Sequence, residues 1–294
     1  MRQMACILVL GEVLWDVFPD SVRLGGAPLN FAAHASRLGH EPRLLSAVGS
    51  DELGRNTIAA IVRLGLDTGG IQVSGSHETG TARVQLGPGG QADFTIVRPA
   101  AYDDLDLSDE ELARLAGWQP HTLYFGTLFA SRESGRATLF RLLAAVPDAA
   151  RFYDLNLRPG SDSPSLVSEL LGHADIVKLN DAELDVVHRY TDLPGDLEGF
   201  CRAGAHRYGW QAACITLGAR GCAILVAGEY AQVPGLLVTQ ADPVGAGDAF
   251  AAAMLHGLEQ GWPAAKTAAF GNALGALVAS RPGAIPDWDP SELI

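Results

Sequence analysis

The chain of 294 residues is 48% hydrophobic and 19% charged, a balance that excludes a disordered chain and suits one large α/β domain or two smaller ones. At this length roughly three quarters of the unfolded surface can be buried, so neither a disulfide nor a metal is needed to staple the fold. Acidic residues outnumber basic ones 34 to 21, a formal charge of −13, and no Lys/Arg cluster supplies the basic stripe that a nucleic-acid partner requires.

The first apolar run, ACILVLGEVLW, is short, is interrupted by Glu12 and Asp16 and lacks a signal-type cleavage site, so it reads as a buried strand rather than a targeting segment. VFPDSVRLGG can supply another strand. GGAPLNFAAHASRLG, residues 25–39, then places paired glycines before a helix, either as a plain turn or to let the backbone approach a ligand. Asn30 at that helix start is a cap or a hydrogen-bonding group for a hydroxylated ligand, and His34 reads as packing. RLLSAVG and GRNTIAAIVRLGL continue as strand and helix.

The rhythm breaks at residues 80–97. Ala82, Val84 and Leu86 alternate with Thr81, Arg83 and Gln85, a period of two, and GPGG marks a turn before QADFTIV. This predicts a β-hairpin inserted into an α/β chain, a lid built discontinuously from about 13–25 and 75–102 over a single domain spanning 1–294, which serves as a cover, a dimerisation flap or both. Strands TLYFG, ARFYDLNL, DIVKLN and ACITLG alternate with helical stretches such as GRATLFRLLAAV and AAKTAAFGNALGALVAS, the pattern of a mostly parallel sheet with helices on both faces.

In FYDLNLRPG, Asp154, Asn156 and Arg158 are spaced to share one strand face at the sheet's carboxyl edge, or to solvate an edge strand. Asn180 and Glu183 form a near capping box, or orient a hydrated magnesium. His256 reads as packing. Cys6, Cys201, Cys214 and Cys222 show no C-x-x-C spacing and read as buried free thiols of a cytoplasmic protein. No stretch approaches the ~20 uninterrupted apolar residues of a membrane span, so no membrane partner is expected.

DPVGAGDAF, residues 242–250, is a glycine-rich turn opening an apolar helix, a place that favours an anion, yet it carries the acid Asp248. Asp248 either complements the helix start or is held against a negative group because the two must react. Walker-type, G-x-G-x-x-G, H-E-x-x-H, G-x-S-x-G and zinc spacings are all missing, which weighs against a nicotinamide-dependent oxidoreductase.

GGAPLNFAAHASRLG and DPVGAGDAF resemble the N- and C-terminal signatures of the ribokinase-like (PfkB) carbohydrate kinases. TLGARG, NDAE and NALGALVASRPGAIP fit that family in order, and GEVLWDVFPD with YDLNLRPG look most like its fructokinase branch. The resemblance implies a ribokinase-like three-layer α/β/α fold with a small β-sheet lid, and an ATP- and Mg²⁺-dependent sugar kinase, most readily a fructokinase making fructose 6-phosphate. 2-Keto-3-deoxygluconate kinase, ribokinase and nucleoside kinase are the alternatives within the family, and a catalytically silent sugar or nucleotide sensor is the alternative outside catalysis.

Carried over residue by residue, Asp248 is the base, with an ordinary carboxylate pKa of about 3.9, and Gly245, Ala246 and Gly247 form the anion hole. Asp16, Gly26, Asn30 and Arg158 bind sugar. Asn180, Glu183, Thr216, Gly218, Gly221 and Asn272 serve ATP, with Glu183 reaching Mg²⁺ through water. Asp242, Val244, Val278, Arg281 and Gly283 would hold a monovalent cation, K⁺ in the family. Pro243 departs from the family's usual Thr or Ser. A homodimer through the lid is a further implication.

Overall fold

The computed structural model describes residues 4–86, 92–239 and 241–293. The first apolar run becomes β1 (Cys6–Leu10), whose side chains alternate between two cores, Leu8 and Leu10 on one side and Ile7 and Val9 on the other. Burial on both faces belongs to the middle of a parallel sheet.

Among the described residues the further strands are β2 (Leu14–Val17), β3 (Val22–Gly25), β4 (Glu41–Gly49), β5 (Ile71–Ser74), β6 (Gly80–Leu86), β7 (Ala92–Val97), β8 (Thr122–Gly126), β9 (Ala150–Asp154), β10 (Ile176–Asn180), β11 (Ala212–Thr216), β12 (Cys222–Val226) and β13 (Glu229–Val233). The large sheet runs β13-β12-β11-β10-β9-β8-β1-β4-β5 and is parallel from β11 to β5, with β12 and β13 added antiparallel at one edge. Helices α1 (Ala27–Arg37) and α2 (Glu52–Arg63) lie on one face. The other carries α3 (Asp109–Gly117), α4 (Thr127–Ala130), α5 (Glu133–Ala145), α6 (Pro164–His173), α7 (Asp181–Tyr190) and α8 (Leu197–Tyr208). The chain then returns to the first face with α9 (Ala246–Glu259) and α10 (Ala264–Ala279). This is the expected α/β/α layering.

A second sheet, ordered β3-β2-β6-β7, draws its strands from two separated stretches, 14–25 and 80–97. The expected hairpin forms, with Leu86 opposite Ala92, while its GPGG turn lies outside the described residues, as do the facings of Val84 and Leu86. VFPDSVRLGG gives the reversal into β3, closed by a bond from the Phe18 N–H to the Ser21 carbonyl. Leu14 and Ala82 pack with Leu128 of α4, which fixes this sheet above the carboxyl edge of the large one.

The structure departs from the sequence reading at 154–158. β9 ends at Asp154, and Asn156 has φ +42°, so the chain turns left-handed and Asp154, Asn156 and Arg158 do not share a strand face. Nor is β9 an edge, because β8 and β10 flank it. Cys201, Cys214 and Cys222 are buried free thiols, whereas Cys6 is only partly covered. Among the described residues no helix is long and apolar enough to cross a membrane.

Candidate active site

A cavity of about 600 Å³ opens between the carboxyl edge of the large sheet and the small sheet, where open α/β folds bind ligands. Asp16, Gly26, Asn30 and Arg158 line it. So do Asn180, Glu183, Thr216, Gly218, Gly221 and Asn272, together with Gly245, Ala246, Gly247 and Asp248. Of the five residues expected around a monovalent cation only Val244 lines it; Asp242, Val278, Arg281 and Gly283 do not.

The start of α9 is shaped by its turn. The Ala246 N–H returns to the Pro243 carbonyl at 3.3 Å, and Gly245 has φ +81° and ψ −10°, the geometry a type II turn demands at its third residue. A Cβ on Gly245 would lie 2.6 Å from both the Cα and the carbonyl oxygen of Ala284. Ala284 is braced in turn by His34, whose Nε2 bonds its carbonyl at 3.0 Å while Trp288 Nε1 donates to His34 Nδ1 at 3.0 Å. Burial pushes His34 down to about 4, which keeps the ring neutral in that tautomer. Of the three expected anion-hole groups, then, Ala246 spends its N–H inside the turn. The N–H groups of Gly245 and Gly247 remain without a partner among the described residues, and α9 has no side-chain cap.

Asp248 is the third residue of α9, and its Oδ2 accepts from Asn30 Nδ2 at 2.7 Å instead of capping its own helix. Desolvation pushes its pKa up to about 6, against the opposing charges of Lys178 and Arg158. That corrects the expectation of an ordinary carboxylate. Asn30 is not a cap either, because Gly26 occupies that position without a side-chain bond, and the buried Asn30 Oδ1 has no partner among the described residues. What the paired glycines let in is the chain itself: a Cβ on Gly26, at φ +109°, would stand 2.5 Å from the Glu12 carbonyl, and one on Gly25 would stand 2.9 Å from Asp16 Oδ2.

Asn180 and Glu183 make the full capping box. Asn180 Oδ1 accepts from the Glu183 N–H at 2.9 Å, and Glu183 Oε2 accepts from the Asn180 N–H at 2.8 Å. The other oxygen, Oε1, accepts from the Leu157 N–H at 2.7 Å, and burial raises this carboxyl's pKa. Asn272 Nδ2 donates to the Val233 and Pro234 carbonyls at 3.2 and 3.1 Å, and a Cβ on Gly221 would strike the Val233 oxygen at 2.0 Å. Both residues hold the exit of β13, beyond which Leu236, Leu237 and Val238 form an exposed apolar rim of the cavity. Thr216 Oγ1 donates to the Leu179 carbonyl at 3.4 Å. His256, read as packing, is buried with its Nδ1 3.0 Å from His40 Nε2.

Two buried charged residues of the cavity wall, Glu12 and Lys178, have no role in the sequence reading. Glu12 is pushed up to about 7 by desolvation, as Asp16 is to about 6, with Arg158 opposing both shifts. Its one sequence signal is an acid breaking an apolar run. Lys178 forms an ion pair with Asp154 at 3.0 Å inside the sheet.

For the implied metals the donors differ. Each Glu183 oxygen accepts one N–H and keeps a second lone pair, and the residue lines the cavity, which fits a hydrated Mg²⁺ held through water rather than directly. In the monovalent-cation set the one side-chain donor, Asp242, is already engaged. Asp242 Oδ2 takes Arg23 Nη1 at 3.0 Å and the Gly283 N–H at 3.2 Å, and Oδ1 takes the Val244 N–H at 3.1 Å, so a guanidinium already neutralises the carboxylate. Among the described residues, no group of three or more His, Cys, Asp or Glu side chains could hold a metal ion.

An uncapped helix start and the Asp248 carboxylate share one cavity, an arrangement suited to phosphoryl transfer, and likeness to known proteins identifies the class. Residues 8–290 match the pfkB family of carbohydrate kinases, and the chain belongs to that family. It is 32% identical over 265 residues to the fructokinase of Klebsiella pneumoniae, covering 86% of this chain and 84% of that protein. It is 31% identical over 300 residues to the fructokinase of Salmonella typhimurium, covering 96% and 95%. The structure of the Xylella fastidiosa fructokinase with bound ATP matches with a TM-score of 0.84 at 25% identity, over 98% of this chain and 96% of that one.

Proposed function

We propose that the protein transfers the γ-phosphoryl group of ATP to the 6-hydroxyl of D-fructose, giving fructose 6-phosphate and ADP. The observation that carries this reading is the start of α9, where Gly245, Gly247 and Asp248 line one cavity and the two glycine N–H groups have no partner among the described residues. The fructose assignment draws on the relatives named fructokinase.

In this reading the fructose oxygen attacks the γ-phosphorus, the new O–P bond forms, and the bond to the bridging oxygen breaks with its electron pair staying on ADP. The hydroxyl proton passes to Asp248. Phosphoryl transfer asks for positioning and charge stabilisation more than covalent help. The Gly245 and Gly247 N–H groups and the helix dipole supply that stabilisation. Asp16, Gly26, Asn30 and Arg158 orient the sugar, and the partnerless Asn30 Oδ1 supports a hydroxyl donor there. Thr216, Gly218, Gly221 and Asn272 shape the nucleotide end beside the apolar rim. Mg²⁺, held through water by Asn180 and Glu183, supplies neutralisation of the phosphates when bound. The small sheet acts as the lid, and pairing of two copies through its outer strands β3 and β7 completes the reading. ADP release with Mg-ATP, screened against D-fructose, 2-keto-3-deoxygluconate, ribose and nucleosides, tests it. Fructose is expected to be turned over fastest, and no turnover with any of them contradicts the assignment.

A further inference from the structure

Lys178 is an expensive residue where it stands. It sits in the middle of β10, an internal strand, at 6% exposure, with apolar Val177 and Leu179 on either side in sequence. A buried ammonium without a counter-charge is strongly destabilising. Asp154 neutralises it, with Nζ 3.0 and 3.1 Å from the two carboxylate oxygens, and the Tyr124 hydroxyl donates to Asp154 Oδ2 at 3.0 Å to fix that carboxylate. As a means of holding strands together, such a pair is often matched or bettered by two well-packed apolar side chains.

The geometry on the other side of the ammonium is informative. Nζ has three N–H bonds and Asp154 can take at most two, which leaves at least one without an acceptor, and Lys178 lines the cavity. A Cβ built on Gly247 would meet nothing nearer than this Nζ, at 3.4 Å. The ammonium therefore stands beside Gly247, the second residue of α9, whose N–H has no partner among the described residues. Burial by itself would lower the lysine pKa, but Asp154, Asp248 and Glu183 together raise it above the usual lysine value, so it stays charged.

We propose that Lys178 is a further catalytic residue, a fixed cation that donates a hydrogen bond to the transferring phosphoryl group at the start of α9, with Asp154 and Tyr124 as the positioning pair behind it. The proposal rests on the kinase reading above. Lys178 keeps its protons throughout: it offsets charge on the equatorial oxygens while the proton of the sugar hydroxyl goes to Asp248. A point charge held at the phosphate from a rigid strand needs no reorganisation during transfer, which is where preorganised donors gain most.

The test separates this role from a structural one by removing the charge in two ways. Lys178→Met leaves Asp154 buried and unpaired, so a lowered melting temperature is expected along with a kcat reduced ~10²–10³-fold, the usual loss for one such donor. The double variant Lys178→Met/Asp154→Asn removes both charges, and its melting temperature is expected to return to within a few degrees of the parent. Its kcat is expected to stay low. Affinity for ADP with aluminium fluoride and fructose, a mimic of the transferring phosphoryl group, is expected to fall by a similar factor, with affinity for ADP alone changing less than about threefold. A double variant that recovers both stability and parental kcat overturns the proposal and leaves the kinase reading standing. A parent protein that neither turns over nor binds the mimic overturns both.

Discussion

Helices α7 and α9 both begin on the wall of one cavity, and each carries an acid at its third residue, Glu183 and Asp248. The two acids are used in opposite ways. Glu183 turns back on its own helix, with both oxygens bonded to backbone N–H groups of Asn180 and Leu157. Asp248 turns away, toward Asn30, and leaves its own helix start uncapped. The difference lies in the residue at the cap. Asn180 invites a capping box, whereas Gly245 offers no side chain and spends its conformational freedom on the turn. An acid at such a position that satisfies its helix keeps only a contact through water for chemistry, and one beside an open helix start is left to act directly.

The largest effect that separates the two helices comes from Asp248→Asn. Loss of the base is expected to lower kcat by ~10³-fold or more, measured as ADP release, with the fold intact. The stability effect has the opposite sign. Because the folded-state pKa of Asp248 lies above its unfolded value, about 6 against 3.8, the buried ionised form costs stability as pH rises through that window. The variant is therefore expected to melt a few degrees higher than the parent at pH 8 and no higher at pH 4, discounting for the group's partial exposure to the cavity.

Glu183→Gln should do the reverse. It places an amide NH₂ against a backbone N–H and is expected to cost about 1–3 kcal/mol of stability, read as a drop in melting temperature, with kcat changing less than about tenfold. A Glu183→Gln protein that melts like the parent but has lost turnover would make the two acids alike and break the comparison. The smallest expected effect concerns Asp242. Since Arg23 already neutralises it, replacing K⁺ by Na⁺ in the assay is expected to change the rate less than about twofold.

Much of this was legible in the sequence because it lies in local signatures. The alternation of strands and helices gives the layering, and the family resemblance of the stretches around Gly26, Asn30, Asn180 and the Gly245–Asp248 turn puts them in one site; these residues do line one cavity. Contacts that depend on conformation or on long-range partners were not legible. Nothing local tells that Asn156 turns left-handed, which breaks the expected face shared with Asp154 and Arg158. Nor does sequence place Arg23 against Asp242, 219 residues away, or bring Asn30 to Asp248 across 218. The upward shift of Asp248 is likewise a property of its surroundings, not of its motif.

The most direct test of the opposed roles of Asp248 and Glu183 is the pH dependence of kcat/KM for fructose phosphorylation, measured from pH 5 to 8. The rate is expected to fall as pH drops, with a midpoint at about 6, because protonated Asp248 cannot accept the hydroxyl proton. Asp16 and Glu12 titrate in the same range, so the limb must persist in Asp16→Asn and Glu12→Gln, and in Glu183→Gln as well. A profile that stays flat to pH 5, or a limb abolished by Glu183→Gln, would contradict the account.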